Sequence, residues 1–374
     1  MKILFDTQIF DWQINGGISR YFVEVLQRLQ AQPETEVLFR VSHSYNTYIQ
    51  STPWLVNKPM LKGVNFKGKL RLLKKMNEKI NRRYSNKMLR QNTADIFHPT
   101  YYDPYFLPLL GKRPFVLTVY DLTHEKFFAD NPSTRQTLAW KKQLIEAADH
   151  IVAISENTRK DVIEYYKVSP QKVTTVYLSG GFDDPGQLKK TADAPSISSP
   201  YILFVGSRTG YKNFQAFVRE AAPVLVKENI SLVIAGGGNL NADESALLNK
   251  LGLANRFIAL SHVSDTVLQQ LYRDAMVFIF PSLYEGFGIP VLEAMQCNCP
   301  ALLSNNSSLP EVGGNAATYF DPFTEGDMQL KLDTLVKDSE ARTRMVKEGR
   351  EQLKKFNWDA TARGHIGVYK NLLT

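Results

Sequence analysis

Short apolar runs alternate with longer segments of helical periodicity along the 374 residues of this chain. The short runs are typical of buried strands, and the longer segments are typical of amphipathic helices. In the first half of the chain this pattern predicts strands at 2–6, 96–98, 115–119, 151–154 and 173–178. It also predicts helices at 17–29, 133–148 and 156–166, and we expect Ser155 to cap the third of them.

The second half repeats the pattern, with strands predicted at 202–205, 232–235, 257–260, 277–280, 301–304 and 317–320. Helices are predicted between these strands and from 324 to the end. Residues 180–200 interrupt the rhythm with three glycines, three prolines and a serine-rich end, which is typical of a linker. Alternating strands and helices predict an α/β fold class with parallel sheets. We expect domains at 1–180 and 201–355, a linker at 181–200 and a terminal helix within 356–374.

The net charge of +8 is concentrated between residues 58 and 90, where twelve Lys and Arg accompany one acid, Glu78. Apolar residues recur there at nearly helical spacing: Leu72, Leu73, Met76, Ile80, Tyr84 and Met88. The segment is typical of a basic amphipathic helix. It suits a solvated surface helix and a helix that binds an anionic membrane or a lipid diphosphate equally well. Nucleic acid is not expected, because no nucleic-acid-binding module accompanies the charge.

Cys297 and Cys299 are separated by one residue, a spacing at which a disulfide would be strained. We therefore expect two reduced thiols and a cytoplasmic protein. The first residues become polar too early for a signal peptide, and no apolar run reaches the ~20 residues that cross a bilayer. A peripheral position on the inner face of the cell membrane is the alternative that the basic segment raises.

The candidate site with the most information lies between Glu285 and Glu293, directly after the apolar run 276–281. Gly286, Phe287 and Gly288 predict a turn, and Pro290 suits the first position of a helix, which puts Glu293 in its first turn. Backbone N–H groups there would face a ligand past the carboxyl end of a strand. N–H donors suit phosphate oxygens, and carboxylates accept hydrogen bonds from sugar hydroxyls.

Two other glycine turns follow predicted strands. Arg208 and Lys212 stand four residues apart after the strand that precedes Gly206, and two cations in this position suit a diphosphate. Gly16 and Gly17 follow the first strand and open a helix, which allows backbone N–H groups to approach a phosphate or a sugar closely.

The sequence Pro-Ser-x-x-Glu-Gly-Phe-Gly-x-Pro-x-x-Glu-Ala-Met at 281–295 resembles the retaining glycosyltransferases of the GT-B fold, in their large fourth sequence family. The resemblance spans nearly the whole chain and is closest to mannosyltransferase-like members that build bacterial surface polysaccharides. It implies two facing Rossmann-like domains with a cleft between them. The first domain would serve the acceptor and the second the nucleotide-sugar donor, and the last helix would cross back onto the first domain.

The resemblance also implies roles for individual residues. Arg208 and Lys212 would steady the leaving diphosphate, Glu293 would hold the ribose and Glu285 the hydroxyls of the donor sugar. We expect four catalytic residues: Glu285, His124, Arg208 and Lys212. The donor site would comprise Gly16, Gly17, Ser207, Arg208, Lys212, His262, Val263, Glu285, Gly286, Phe287, Gly288, Ile289 and Glu293.

The acceptor side departs from the commonest pattern of the family. Many relatives have His-Asp where this chain has Tyr120-Asp121, and in them that histidine contacts the transferred sugar. His124 follows four residues after Tyr120, and we assign it that contact, with Tyr120 and Asp121 as neighbours. The acceptor would be a growing lipid-linked glycan. GDP-mannose is the first donor to test, ahead of UDP-sugars, and neither a metal nor a cofactor is expected.

Other functional classes remain open from the sequence. A GT-B sugar-nucleotide epimerase would share the fold but would need acid and base groups at a sugar carbon. A dehydrogenase would need the full dinucleotide fingerprint, which the glycines at 236–238 lack. A non-catalytic protein that binds nucleotide-sugars or a membrane surface would bind without turnover, so a turnover assay separates it from the enzyme.

Overall fold

The computed structural model describes residues 1–57, 69–182, 195, 197–261 and 263–374. The chain forms two compact units. The N-terminal unit comprises Met1–Leu178 and Trp358–Thr374, and the C-terminal unit comprises Ser179–Asn357. Most of the predicted linker lies outside the described residues, as does the first part of the basic segment.

The strands are β1 (Lys2–Phe5), β2 (Glu36–Leu38), β3 (Ile96–His98), β4 (Val116–Val119), β5 (His150–Ala153), β6 (Val173–Thr175), β7 (Tyr201–Val205), β8 (Ser231–Ala235), β9 (Phe257–Leu260), β10 (Val277–Phe280), β11 (Ala301–Ser304) and β12 (Ala317–Phe320). The helices are α1 (Gln8–Trp12), α2 (Gly17–Gln30), α3 (Lys69–Gln91), α4 (Thr123–Phe127), α5 (Arg135–Ala147), α6 (Glu156–Tyr166), α7 (Phe214–Lys227), α8 (Ala242–Lys250), α9 (Asp265–Asp274), α10 (Ile289–Gln296), α11 (Leu309–Gly313), α12 (Asp327–Lys337), α13 (Ser339–Leu353) and α14 (Trp358–Leu373). Within the described ranges, no helix combines the length and apolar character needed to cross a membrane.

The N-terminal unit is built on parallel strands in the orders β2-β1-β3 and β4-β5-β6. A bridge between Phe97 and Phe115 joins the two groups at β3 and β4. The chain passes from β1 to β2 on one side and then to β3 on the other, so the topology reverses between β1 and β3. Open α/β sheets bind ligands beyond the strand ends at such a reversal.

The C-terminal unit contains one parallel sheet in the order β12-β11-β10-β7-β8-β9. This is the strand order of a Rossmann sheet, with its reversal between β7 and β10. All four residues of β10 are buried, because helices cover both faces of a parallel sheet and leave no polar side to a central strand. The predicted α/β class and parallel sheets are thereby confirmed.

The last helix, α14, is part of the N-terminal unit and packs on α2. Arg28 Nε lies 2.8 Å from Asp359 Oδ1 at the surface. Deeper inside, Tyr21 Oη and His365 Nε2 are 2.5 Å apart, and His98 Nδ1 and Tyr369 Oη are 2.6 Å apart. Burial lowers the pKa of His365 to about 3, so this core carries a neutral imidazole at physiological pH.

The buried face of α3 differs from the apolar face predicted from the sequence. Leu72 and Met76 are 49% and 42% exposed. Asn81 is wholly buried instead; its amide donates to Asp11 Oδ1 at 2.6 Å and accepts from Ser42 N at 2.7 Å. Such hydrogen bonds offset the cost of removing a polar side chain from water. The pattern of apolar residues gives no indication of them. The buried stripe is Leu73, Asn77, Asn81, Ser85 and Leu89.

Candidate functional site

Two loops meet at the sheet reversal of the C-terminal unit, one following β7 and the other following β10. Leu283 N donates to the carbonyl of Tyr211 at 2.7 Å and ties the two backbones together. Lys212 Nζ lies 2.6 Å from Glu285 Oε1, and the two side chains retain 15% and 13% exposure. The structure therefore brings these two predicted residues together at the strand ends, where a ligand can reach them.

Lys212 is held by more than its ion pair. Its Nζ lies 5.1 Å from the ring centroid of Tyr211 and 5.3 Å from that of Phe280, distances at which an ammonium is attracted to an aromatic face. Glu285 occupies one of the three N–H donors of the ammonium. The site thus presents a fixed positive charge beside a carboxylate.

A serine-rich segment after β11 fixes the turn that carries Glu285. Ser307 Oγ accepts from Glu285 N at 3.0 Å, and the wholly buried Ser308 hydroxyl lies 2.9 Å from Glu285 O and 2.8 Å from Phe287 O. Gly288 has φ +105°, and a Cβ there would lie 2.9 Å from Leu309 Cδ2, so this position requires glycine. The sequence analysis did not identify this bracing role.

Helix α10 begins at Ile289, one residue before the predicted start, with Pro290 in its second position. Glu293 is consequently its fifth residue, so the prediction that it lies in the first turn is wrong. The Glu293 carboxylate accepts a hydrogen bond from Tyr272 Oη at 3.1 Å. Phe287 is 3% exposed and packs edge-on against the Phe356 ring, so its side chain belongs to the core.

Arg208 contacts the turn after β8, whereas Lys212 contacts the loop that carries Glu285. Its side chain is 4% exposed and lies 2.9 Å from Glu244 Oε1. The guanidinium also donates to the carbonyl oxygens of Gly236, Gly237, Gly238 and Asn239, at 2.9–3.3 Å. These three glycines have φ between +73° and +89°, and a Cβ on Gly237 would meet Arg208 Nη1 at 2.7 Å. Arg208 therefore shapes the turn after β8 in this structure.

The other predicted donor residues have simpler surroundings. Ser207 is exposed in the loop after β7, and Val263 is partly buried just before the start of α9. His262 lies outside the described residues. In the N-terminal unit, Gly17 opens α2 and Gly16 precedes it.

On the acceptor side, Tyr120 is buried, whereas its two predicted neighbours are partly exposed. Tyr120 is 7% exposed, and its hydroxyl donates to Thr100 O at 3.3 Å. Burial raises its pKa well above the ordinary value of tyrosine. Asp121 and His124 are partly exposed, at the end of the loop after β4 and in α4. Of the three, Asp121 and His124 are therefore the ones available to a ligand.

A buried ion pair beneath this loop was missed by the sequence analysis. Lys141 Nζ lies 2.8 Å from Glu125 Oε1 and donates to the carbonyl of Asp121 at 2.5 Å. The two charged side chains are only 2% and 1% exposed. Tyr166 Oη also donates to Glu125 at 2.5 Å. Lys141 and Glu125 stand apart in α5 and α4, so sequence spacing gave no signal of the pair.

Two family models match the chain. One is described as "Glycosyltransferase Family 4" and matches residues 15–178; the other, "Glycosyl transferases group 1", matches residues 190–352. The chain belongs to the GT-B glycosyltransferases. This glycosyltransferase is 27% identical to "O-antigen chain mannosyltransferase B" of Escherichia coli over 389 residues, with full coverage of both chains.

Solved structures share the fold of this glycosyltransferase. Sucrose-phosphate synthase of Thermosynechococcus elongatus has a TM-score of 0.72 at 17% identity and covers 100% of this chain and 98% of its own. Anabaena Alr3699/HepE in complex with UDP and glucose has a TM-score of 0.70 at 15% identity, with 99% and 100% coverage. The recognition of a GT-B glycosyltransferase from the motif at 281–295 is thereby confirmed.

Proposed function

We propose that this glycosyltransferase moves a hexose from a nucleotide-sugar to a hydroxyl of a growing lipid-linked glycan, with retention of the anomeric configuration and without a metal ion. The observation that carries this proposal is the Lys212–Glu285 pair at the sheet reversal of the C-terminal unit. A cation and a carboxylate placed side by side match a ligand whose diphosphate is anionic and whose sugar offers hydroxyl donors.

Sugar transfer builds negative charge on the departing diphosphate. Lys212 and the backbone N–H groups of Gly288 and Ile289, where α10 begins, are the donors that stabilise this charge in the proposed site. Glu285 accepts from donor-sugar hydroxyls, and Glu293 accepts from the ribose. Arg208 contributes by holding the 236–239 turn, whose backbone lines the neighbouring strand end. The acceptor hydroxyl is presented by Asp121 and His124.

We propose mannose as the transferred sugar and GDP-mannose as the donor. The support is the full-length similarity to an O-antigen chain mannosyltransferase, which also favours a surface polysaccharide or lipopolysaccharide glycan as the product. One fold serves many donor sugars, so the fold alone does not identify the sugar. The choice of mannose therefore depends on the similarity to the mannosyltransferase.

A thermal-shift screen against GDP, UDP, ADP and their sugar conjugates, with EDTA present, tests the donor. We expect GDP and GDP-mannose to stabilise the protein by ~2.7 kcal/mol at 100 times their dissociation constant. NMR of the product formed from GDP-mannose and mannotriose should then show one additional α-anomeric proton that the acceptor lacks. Stabilisation by UDP alone would overturn the donor, and a β-linked product would overturn retention. Donor sugar converted without an acceptor would indicate an epimerase.

We also propose that α3 binds the anionic inner face of the cell membrane. Its outer face exposes the apolar side chains of Leu72 and Met76 among the exposed cations Lys75, Lys79 and Arg83. Basic side chains near an anionic surface each contribute ~1 kcal/mol, and apolar side chains at the headgroup boundary add to that attraction. A lipid-linked acceptor would be met at this surface.

The double variant Lys75→Glu, Lys79→Glu should bind phosphatidylglycerol vesicles at least ~10-fold more weakly than the parent protein, because it reverses two charges on the proposed contact face. Flotation of the vesicles measures this. Arg344→Glu, Lys347→Glu is the matched control, since it makes the same change in net charge on exposed positions of α13. Equal losses in both variants would show that only the net charge matters and would contradict a docking face.

A further inference from the structure

Two aromatic side chains meet at the sheet reversal of the N-terminal unit. Trp12 ends α1, which follows β1, and Tyr101 lies in the loop that follows β3. Their ring centroids are 5.1 Å apart with an interplanar angle of 56°. Because β1 and β3 are adjacent parallel strands, both rings lie beyond neighbouring carboxyl ends, where this class of sheet binds ligands.

Trp12 is exposed and its backbone is fixed. The side chain is 37% exposed, although a tryptophan gains more than most side chains from burial. Lys74 Nζ donates to its carbonyl at 3.1 Å. The following residue, Gln13, donates from its N–H to Ile9 O at 2.9 Å and accepts at its carbonyl from Asn46 Nδ2 at 3.0 Å. Because this backbone is already fixed, binding of a ligand to the indole would lose little backbone conformational entropy.

The loop that carries Tyr101 is hydrogen-bonded to the segment that carries Asp121. Burial raises the pKa of Tyr101 to about 12, and the negative charges of Asp121 and Glu125 add to the shift. Glu125 is buried in its ion pair, whereas Asp121 is partly exposed. Tyr120, the residue before Asp121, donates from its N–H to Tyr102 Oη and from its hydroxyl to Thr100 O, both at 3.3 Å, which places Asp121 near the loop after β3.

We propose that Trp12 and Tyr101 form a subsite for one pyranose ring of the acceptor glycan, a proposal that rests on the proposed function. The C–H face of a pyranose suits the electron-rich face of an aromatic ring, and its hydroxyls suit the Asp121 carboxylate. Lys74, which anchors Trp12, lies on α3 beside the exposed Leu72 and Met76. The subsite therefore adjoins the face that we assign to the membrane, as a sugar attached to a lipid requires.

Titration of the full-length protein with α-mannotriose tests the subsite without turnover. Trp12→Ala should weaken mannotriose binding ~10-fold or more, since it removes the stacking surface. Trp12→Phe should retain most of the affinity, because an aromatic face remains. Tyr165→Ala is the control, because Tyr165 is an aromatic residue of the same unit that is 54% exposed on α6; it should bind mannotriose like the parent. Binding of GDP, measured in parallel, should be the same in all four proteins.

The outcomes separate this subsite from the donor assignment. Equal mannotriose affinity in Trp12→Ala and the parent, or no mannotriose binding by the parent, would overturn the subsite while transfer from GDP-mannose could still proceed. A loss of GDP affinity in Trp12→Ala would show that the indole stacks on the nucleotide base and would also overturn the proposal. Absence of both GDP binding and transfer, with mannotriose bound through Trp12, would overturn the donor assignment alone.

Discussion

Glu285→Gln is expected to lower the kcat of sugar transfer ~100- to 1,000-fold, a loss typical of removing one electrostatic contact made to the transition state. Glutamine keeps the shape of the side chain and an oxygen that can accept from Lys212 Nζ, now 2.6 Å from the carboxylate. The substitution removes the negative charge that the proposed site places beside the reacting sugar. Initial rates with GDP-mannose and mannotriose measure the effect, and the melting temperature reports whether the fold is kept.

The matched control is Glu348→Gln, which removes an exposed carboxylate of α13 in the same unit and should leave kcat unchanged. Lys212→Met should reduce the rate as strongly as Glu285→Gln. If the two residues act as one unit, the double variant will be no slower than the worse single variant, because effects within a catalytic unit are not additive. Full activity in a folded Glu285→Gln protein would remove this pair from the proposed site.

Lys141→Met is expected to destabilise the N-terminal unit by ~3–5 kcal/mol, because it leaves the Glu125 carboxylate buried without its cation. All four tryptophans of the chain, Trp12, Trp54, Trp140 and Trp358, lie in the N-terminal unit. Tryptophan fluorescence during urea unfolding therefore follows this unit separately from the other, which matters because a chain of two units need not unfold in one step.

Two further variants decide how the loss arises. Lys142→Met changes the adjacent residue, whose ion pair with Glu146 is 3.9 Å long and 65% and 59% exposed; its effect should stay within about 0.5 kcal/mol. Glu125→Gln added to Lys141→Met should restore much of the stability, since the neutral amide can still accept from Tyr166. A small effect of Lys141→Met alone would show that the pair is not desolvated as the structure places it.

The sequence predicted the sheets well because buried parallel strands have a local signature. The strands predicted at 96–98, 257–260, 277–280, 301–304 and 317–320 have the observed bounds. β2 was missed, since its apolar run, Val37 to Phe39, is only three residues long and lies between the charged residues Glu36 and Arg40. The position of Lys212 and Glu285 at the strand ends was predictable as well, because each follows a strand that apolar periodicity already located.

What escaped prediction depends on partners distant in the chain. Asn81 forms hydrogen bonds with residues 39 and 70 positions away, and these bonds determine which side of α3 is buried. They contribute more than burial of the few apolar residues on the predicted face would. The contact of Arg208 with a glycine turn about 30 positions away is likewise invisible in the local sequence pattern. Trp12 was not singled out, because nothing near it in the sequence shows that Tyr101 would lie beside it.

The place of α14 has a consequence for biosynthesis. His98 is hydrogen-bonded to Tyr369 of α14, 271 positions later in the chain. The core around His98 is therefore incomplete until α14 has emerged from the ribosome. The entire C-terminal unit is made in the meantime and can fold first as a unit. Although the N-terminal unit is translated first, it is thus the last to complete its fold. Until then it exposes apolar surface to which chaperones would bind on a nascent chain.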